Sequence, residues 1–436
     1  MPSGINPNRE SAASASNLAR PSWGGVNWRR WAMVGSVAVI CAYVAMVVAG
    51  PGAQHPPDFA AFYSVARALR LGGLEAARRM YSLHFQLRAG AFLSKGPGLS
   101  YAEPFVNPPP AAWVVIPFTL LPLQLSFFIW DALLFSLCLF GAWWLARLFL
   151  SPRDANLVAL AAVASYPTYM ALGEGQYDLL WPLCLALFAS ALRLREVRRW
   201  LPRGAGAALI FTFKPDLLLA MVVPAMRGGR RTILWSTAGV VALLAAVSLC
   251  TIGLAGLQDA LRLESLTLLS RFPPTHDTTV LGFLWHATGP GRLSEVLATA
   301  AIPIGIGLLA WAWWRRPPVS SADWMFALSS ATCLSLVIAP HALNHSLLLL
   351  VGPMVWVARA FRELGRTLWW LAPWVVAFNL AMVIDTSPRI DLPIPLTPLV
   401  LLLATVCAWR AKHDSGPPTL RTGHSELPHA RPRLSV

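Results

Sequence analysis

A chain of 436 residues that is 56% hydrophobic, only 13% charged and has a mean hydropathy of +0.55 is too apolar for a soluble domain, which would expose charge in every turn. Composition points instead to an all-α polytopic membrane protein, and 20 Trp and 36 Pro fit that class, since aromatic rings settle at headgroup level and packed spans tolerate proline. The formal net charge of +15 does not imply nucleic acid: the basic residues form short clusters between apolar runs, where they set orientation and meet anionic lipid, and no soluble domain is left to bind nucleic acid.

Residues 1–28 are polar and lack periodicity, which predicts a disordered cytoplasmic tail; 412–436 read the same way, leaving 29–411 as the membrane domain. The first apolar run, 31–50, is about as long as a full span and reads as an uncleaved anchor. Just beyond it, Asp58 opens Asp58-Phe-Ala-Ala-Phe-Tyr63, a segment expected to form a helix on the outer membrane surface. Asp58 there is either the cap of that helix, a role Asp favours, or a general base that takes a proton from a hydroxyl; the two roles are compatible.

Further apolar runs follow at 125–148, 155–172, 177–193, 205–226, 231–254, 294–314, 322–339, 342–358, 367–385 and 394–409. Most approach the roughly 20 residues that cross a bilayer core. Arg clusters at Arg29/Arg30, Arg147/Arg153, Arg193/Arg195/Arg198/Arg199, Arg227/Arg230/Arg231, Arg315/Arg316, Arg359/Arg362/Arg366 and Arg410/Lys412 predict cytoplasmic ends. With Asp58 outside and Arg147 inside, the run Ala111 to Leu121, bracketed by Pro108-Pro-Pro110 and Pro122, must not cross, and it is too short to do so; a re-entrant or surface helix is expected. Residues 205–226 lie between two cytoplasmic clusters and must go in and come back. The natural break is Phe213-Lys-Pro-Asp216, where Pro215 disfavours helix in the residue before it and puts Lys214 at the tip of a hairpin. The six Cys all fall in apolar stretches and read as small buried hydrophobes. The sum is a bundle of about 12 spans with surface helices in the first outer loop.

The outward side collects the polar side chains: Tyr63 beside Asp58; Glu174, Gln176 and Asp178 in the turn Gly173-Glu-Gly-Gln-Tyr-Asp178; His276 and Asp277 in the second outer loop; His341, Asn344 and His345 before a later run. The two glycines of that turn let backbone approach a ligand closely, although an ordinary polar turn looks the same. Lys214, near the midpoint of its run, suits a lipid phosphate, with snorkelling or pairing to Asp216 as the structural alternatives. His341 and His345 have i,i+4 spacing but lack the Glu of a His-Glu-x-x-His motif. Proton relay, substrate hydrogen bonding or a satisfied buried imidazole therefore stand ahead of metal, and neither metal nor another cofactor is expected. A base, a cation and sugar-sized polar contacts on one side of a bundle suit transfer onto a hydroxyl from a phosphate-activated, lipid-carried donor. A transporter or flippase of a lipid-linked sugar is the competing reading; it predicts repeat symmetry, and no internal repeat is evident.

At these residues the chain resembles the multispanning glycosyltransferases of the GT-C superfold, in particular glycosyltransferase family 87, whose members look like polyprenyl-phosphate-mannose-dependent α-mannosyltransferases. The resemblance rests on Asp58-Phe-x-x-Phe-Tyr63 with Ala68-Leu69, Gly72 and Tyr81; on Asn107-Pro-Pro-Pro110; on Gly175-Gln-Tyr-Asp-Leu179; on Lys214-Pro215; and on Ala339-Pro-His-Ala-Leu-Asn-His345, in that order. Departures from the family pattern at Asn107, Asp178 and Ala342-Leu-Asn-His345 bear on sugar and acceptor more than on reaction type. The resemblance implies a GT-C-type bundle in the cytoplasmic (inner) membrane with its active site on the periplasmic or extracytoplasmic side. It implies inverting transfer of a hexose, mannose in the family, from a polyprenyl-phosphate sugar to a glycolipid or glycan. Asp58 would then be the catalytic base and His345 a second catalytic residue, and Lys214 would stabilise the leaving phosphate. Tyr63, Glu174, Gln176, Asp178, His276, Asp277, His341 and Asn344 would line the substrate site.

Overall fold

The computed structural model describes residues 28–50, 56–90, 104–193, 203–208 apart from 205, 215–270, 279–284 apart from 283, 291–339 apart from 316, 317 and 319, 344–363, and residues 368, 371 and 379. All regular structure among these residues is helical. In chain order the helices are α1 (Trp28–Ala49), α2 (Pro57–Arg79), α3 (Leu83–Gly90), α4 (Pro109–Val115), α5 (Leu123–Arg147), α6 (Pro152–Val163), α7 (Tyr166–Glu174), α8 (Trp181–Arg193), α9 (Pro215–Arg227), α10 (Arg231–Ser270), α11 (Arg292–Arg315), α12 (Ser321–Ile338) and α13 (Val351–Glu363). Three 3₁₀ segments, Ile116–Leu120, Tyr177–Leu180 and Asn344–Leu350, lead into or out of them.

Four of these helices, α1, α5, α10 and α11, are long and apolar enough to cross a membrane, and α6 with α7 makes a fifth if the bent pair is one span. These are the candidates among the described residues; of the expected runs, 394–409, most of 367–385 and part of 205–226 lie outside them. α5 is the central strut: it packs along α8, where Gly141 lets the backbone of Pro182 and Leu183 come into direct contact, and along α6. α10 and α11 turn most of their length outward, as lipid-facing helices do.

Three expectations change in detail. The run 155–172 is not one helix but α6 and α7 joined at a 57° bend, because Pro167 in the first turn of α7 cannot continue the preceding helix. The run 231–254 continues to Ser270 after a kink at Gly253, which takes φ 70°; beyond it Gly256 lies against the Arg78 carbonyl, so the extension packs on α2. The run 342–358 is 3₁₀ from Asn344 and turns α-helical only at Val351. By contrast, Pro109–Leu120 forms the short α4 with its 3₁₀ extension, too short to cross, as the bracketing prolines predict.

Buried polar bonds tie the segments around α2 to one another. The Gln86 side chain donates to the carbonyls of Met80 and Phe105 and accepts from the Phe105 amide, at 2.8, 2.8 and 2.7 Å. Tyr81 donates to the Asn107 carbonyl at 2.6 Å, Tyr63 to that of Leu121 at 2.7 Å, and Tyr177 to that of Ala111. Each bond gives a backbone carbonyl or amide a partner from a distant part of the chain or a neighbouring turn.

Candidate active site

The site is built where α2, α7 and the 3₁₀ segments Tyr177–Leu180 and Asn344–Leu350 meet. α7 ends in a Schellman turn: Gln176 N–H donates to the Ala171 carbonyl at 2.8 Å and Gly175 N–H to that of Leu172 at 3.3 Å, with Gly175 left-handed at φ 72°. A side chain at Gly175 could not fit, since its Cβ would stand 2.7 Å from Cβ of Phe59. The turn is pressed onto α2 at that point, and the Gly175 carbonyl accepts from Nε1 of Trp130 at 3.0 Å. Phe59, Phe127, Trp130, Phe62 and Tyr177 form the aromatic floor, with ring centroids 4.9 Å apart for Phe62–Tyr177 and 5.0 Å for Trp130–Tyr177.

This packing brings Gln176 to Asp58, whose Oδ2 accepts a hydrogen bond from Nε2 of the glutamine. Asp58 is not the cap of α2. Pro56 occupies that position without a side-chain bond, and Asp58 stands one residue inside the helix, where its charge complements the N-terminal dipole. Beside it His345 is buried between two carboxylates: Nδ1 lies 2.9 Å from Oε2 of Glu174 and Nε2 lies 3.4 Å from Oδ2 of Asp178. His345 sits outside the helices long enough to cross a membrane. Burial alone would lower its pKa, but the charges of Asp178 and Glu174, with Asp58 further off, raise it to about 9. The single positive charge of the imidazolium is thus shared among three neighbouring acids, of which Asp178 is buried and Glu174 and Asp58 are partly exposed. Glu174 and Asp178 are engaged with the imidazolium, and Asp58 lies beside them holding the Gln176 amide.

Among the predicted residues, then, Asp58, Glu174, Gln176, Asp178 and His345 come together from segments far apart in the chain. Tyr63 is buried a turn along α2 with its hydroxyl committed to Leu121, so it positions backbone. Asn344 begins the 3₁₀ segment that carries His345, with its side chain undescribed. Lys214, His276, Asp277 and His341 lie outside the described residues. The Pro215 that follows Lys214 opens α9; the far end of that helix, Arg227, lies 4.7 Å over the ring of Trp314 and donates to the Trp314 carbonyl at 3.4 Å. Among the described residues no group of three or more His, Cys, Asp or Glu side chains is disposed to hold a metal ion. Two acids were not singled out from sequence. Asp131 is buried in α5 next to Trp130, with neither oxygen hydrogen-bonded among the described residues; its signal was simply a carboxylate inside an apolar run. Asp154 is buried too, at the opposite end of the molecule; the signal was the pattern Ser151-Pro-Arg-Asp154, whose Ser side chain caps α6.

The two ends are fixed by the helices that join them. α5 runs from Trp130 at the site towards Arg147, α6 with α7 runs from Asp154 to Glu174, and the stretch from His345 through α13 ends at Arg362, which binds Asp154. At about 2.0 Å per 3₁₀ residue and 1.5 Å per α-helical one, His345 and Arg362 are roughly 30 Å apart, the thickness of a bilayer core.

The model of glycosyltransferase family 87 matches residues 105–340, more than half of the chain. The protein is therefore a glycosyltransferase, and it belongs to glycosyltransferase family 87. The matched span includes Glu174, Gln176 and Asp178; Asp58 precedes it and His345 follows it. No curated protein and no solved structure matches the chain.

Proposed function

We propose that this glycosyltransferase moves a hexose, mannose by its family resemblance, from a polyprenyl-phosphate donor to a hydroxyl of a glycolipid or glycan on the outer face of the cytoplasmic membrane. The reading takes the bundle as GT-C in type, with about 12 spans. The observation that carries it is the meeting of Asp58 with Gln176 beside the Glu174–His345–Asp178 cluster. Orientation is supported by charge: Arg29, Arg147, Arg153, Arg359 and Arg362 gather at the end of the molecule away from the cluster, as the positive-inside rule asks of a cytoplasmic end.

In this mechanism Asp58 accepts the acceptor's hydroxyl proton as the oxygen attacks the anomeric carbon, and the bond to the lipid phosphate breaks on the opposite face, inverting the centre. A phosphate leaves as a stable anion, so one base suffices without a catalytic acid. The Gln176 amide fixes the carboxylate's rotamer. His345 serves as a positioning residue: its imidazolium keeps Glu174 and Asp178 from repelling Asp58 and holds them where sugar hydroxyls would bind. Lys214 supplies a point charge for the phosphate as its charge develops, and His276, Asp277, His341 and Asn344 line the sugar and acceptor paths.

The test is donor choice. Purified protein in detergent receives labelled hexose either as the polyprenyl phosphate or as the nucleotide sugar, with a glycolipid acceptor. Transfer from the lipid donor alone is expected; transfer from the nucleotide sugar, or passage of the lipid-linked sugar across liposomes without transfer, would overturn the reading.

A further inference from the structure

The end of the molecule opposite the site holds a second constellation that sugar transfer does not use. Buried Asp154 accepts from Arg362 through both oxygens, at 2.8 and 2.8 Å, and has Arg29 at 3.4 Å, so one carboxylate faces two guanidinium groups. One turn away on α13, Arg359 bonds Glu363 at 2.8 Å and lies 5.6 Å over the ring of Phe149. Between the α5–α6 turn and the end of α13 these side chains enclose an open cleft of about 380 Å³, lined among others by Phe149, Ser151, Asp154, Arg359, Arg362 and Glu363. That volume lies within the usual range of small-molecule sites, roughly 300–1,000 Å³.

We propose that this cleft binds the phosphate headgroup of an anionic phospholipid in the arginine-rich leaflet. Charge argues for an anion: within the lining Arg359 and Arg362 balance Glu363 and Asp154, and the surplus comes from Arg29, which also reaches Asp154, and from Arg147 and Arg153, next in sequence to lining residues. Position argues for a lipid over a free anion. The cleft sits at the terminus of α5, a helix long and apolar enough to cross a membrane, and its wall combines guanidinium groups with Leu148, Phe149 and Leu150. A lipid presents that pairing, with phosphate at the headgroup plane and acyl chain alongside the apolar wall. Arginine suits the phosphate because its planar fork donates to two oxygens at once. The site links the α5–α6 turn and α13, with α1 reaching it through Arg29, so an occupied cleft would brace the near ends of the helices that lead to the catalytic end.

Two substitutions probe it without dismantling the Asp154 centre. Arg359 and Glu363 form a partly exposed i,i+4 pair of the kind that adds little to stability, so both variants should fold. Native mass spectrometry of the full chain in detergent, titrated with phosphatidylglycerol, should give at least tenfold preference over phosphatidylcholine. Arg359→Gln should weaken phosphatidylglycerol binding about fivefold, and Glu363→Gln, which removes a negative wall, should strengthen it. Unchanged binding in both variants, or equal retention of phosphatidylcholine, would overturn the proposal. Displacement of phosphatidylglycerol by equimolar inorganic phosphate would overturn it in favour of a free-anion site, and self-association that shuts out lipid would overturn it in favour of an interface between copies.

Discussion

The two ends of this bundle carry buried ion clusters of opposite surplus. At one end a single carboxylate, Asp154, is held by Arg362 and Arg29; at the other a single imidazole, His345, is held by Glu174 and Asp178 with Asp58 close by. Both clusters join segments distant in sequence, and both give a buried charge the partners it needs. What they leave over differs. The first lies among further arginines, Arg147 and Arg153, beside a lined cleft, whereas the second has a further carboxylate, Asp58, bonded to Gln176 at the edge of an aromatic floor. In the two proposals, the same structural device serves anion binding at one end and proton removal from a hydroxyl at the other.

Removing the strongest contact should have the largest consequence for stability. Arg362→Ala leaves Asp154 with the Ser151 hydroxyl and the longer Arg29 contact, and breaking a buried pair in this way costs about 3 kcal/mol; thermal unfolding in detergent should fall accordingly, and an unchanged midpoint would mean that the cluster does not brace the fold. Next comes Gly175→Ala. The new Cβ meets Phe59 while φ 72° is itself unfavourable, together about 2 kcal/mol. Because the turn carries Gln176, transfer activity should fall more than stability; equal falls would separate the turn from the site.

The imidazole end should also respond to pH. With the His345 pKa raised to about 9 from its ordinary 6.5, its ion contacts are fully present below pH about 6.5 and are lost as pH rises towards about 9. The unfolding midpoint should drop by a few degrees across that window in the native protein, and His345→Gln should flatten the slope; parallel slopes would assign the change to another group. The smallest effect belongs to Arg29→Ala. That contact is long and the arginine about a third exposed, so a loss of less than about 1 kcal/mol is expected in the same unfolding measurement.

Sequence made some of this legible because the governing rules are local. Prolines at 108–110 and 122 bound a run too short to span, and α4 with its 3₁₀ extension is the result. Asp58 was conspicuous because a carboxylate follows an apolar run with little between, and Gln176 because glycines flank its turn. The bend between α6 and α7 was also local, signalled by Pro167, but the apolar pattern runs through it and hides it. The extension of α10 past Gly253 was not local at all. A glycine that would end an isolated helix is overridden there by packing on α2 near Arg78. The partners of His345 were equally out of reach: Glu174 and Asp178 lie some 170 positions earlier, and nothing in the spacing of either segment announces the other.

The most direct test of the whole account is the initial rate of labelled hexose transfer from polyprenyl phosphate by purified native protein and by Asp58→Asn, with folding of both checked by thermal unfolding. The substitution keeps size and hydrogen bonding while removing basicity, so the account predicts at least a hundredfold loss, the low end of what general base catalysis contributes, with an unfolding midpoint close to native. A folded Asp58→Asn protein that transfers sugar at the native rate would contradict it.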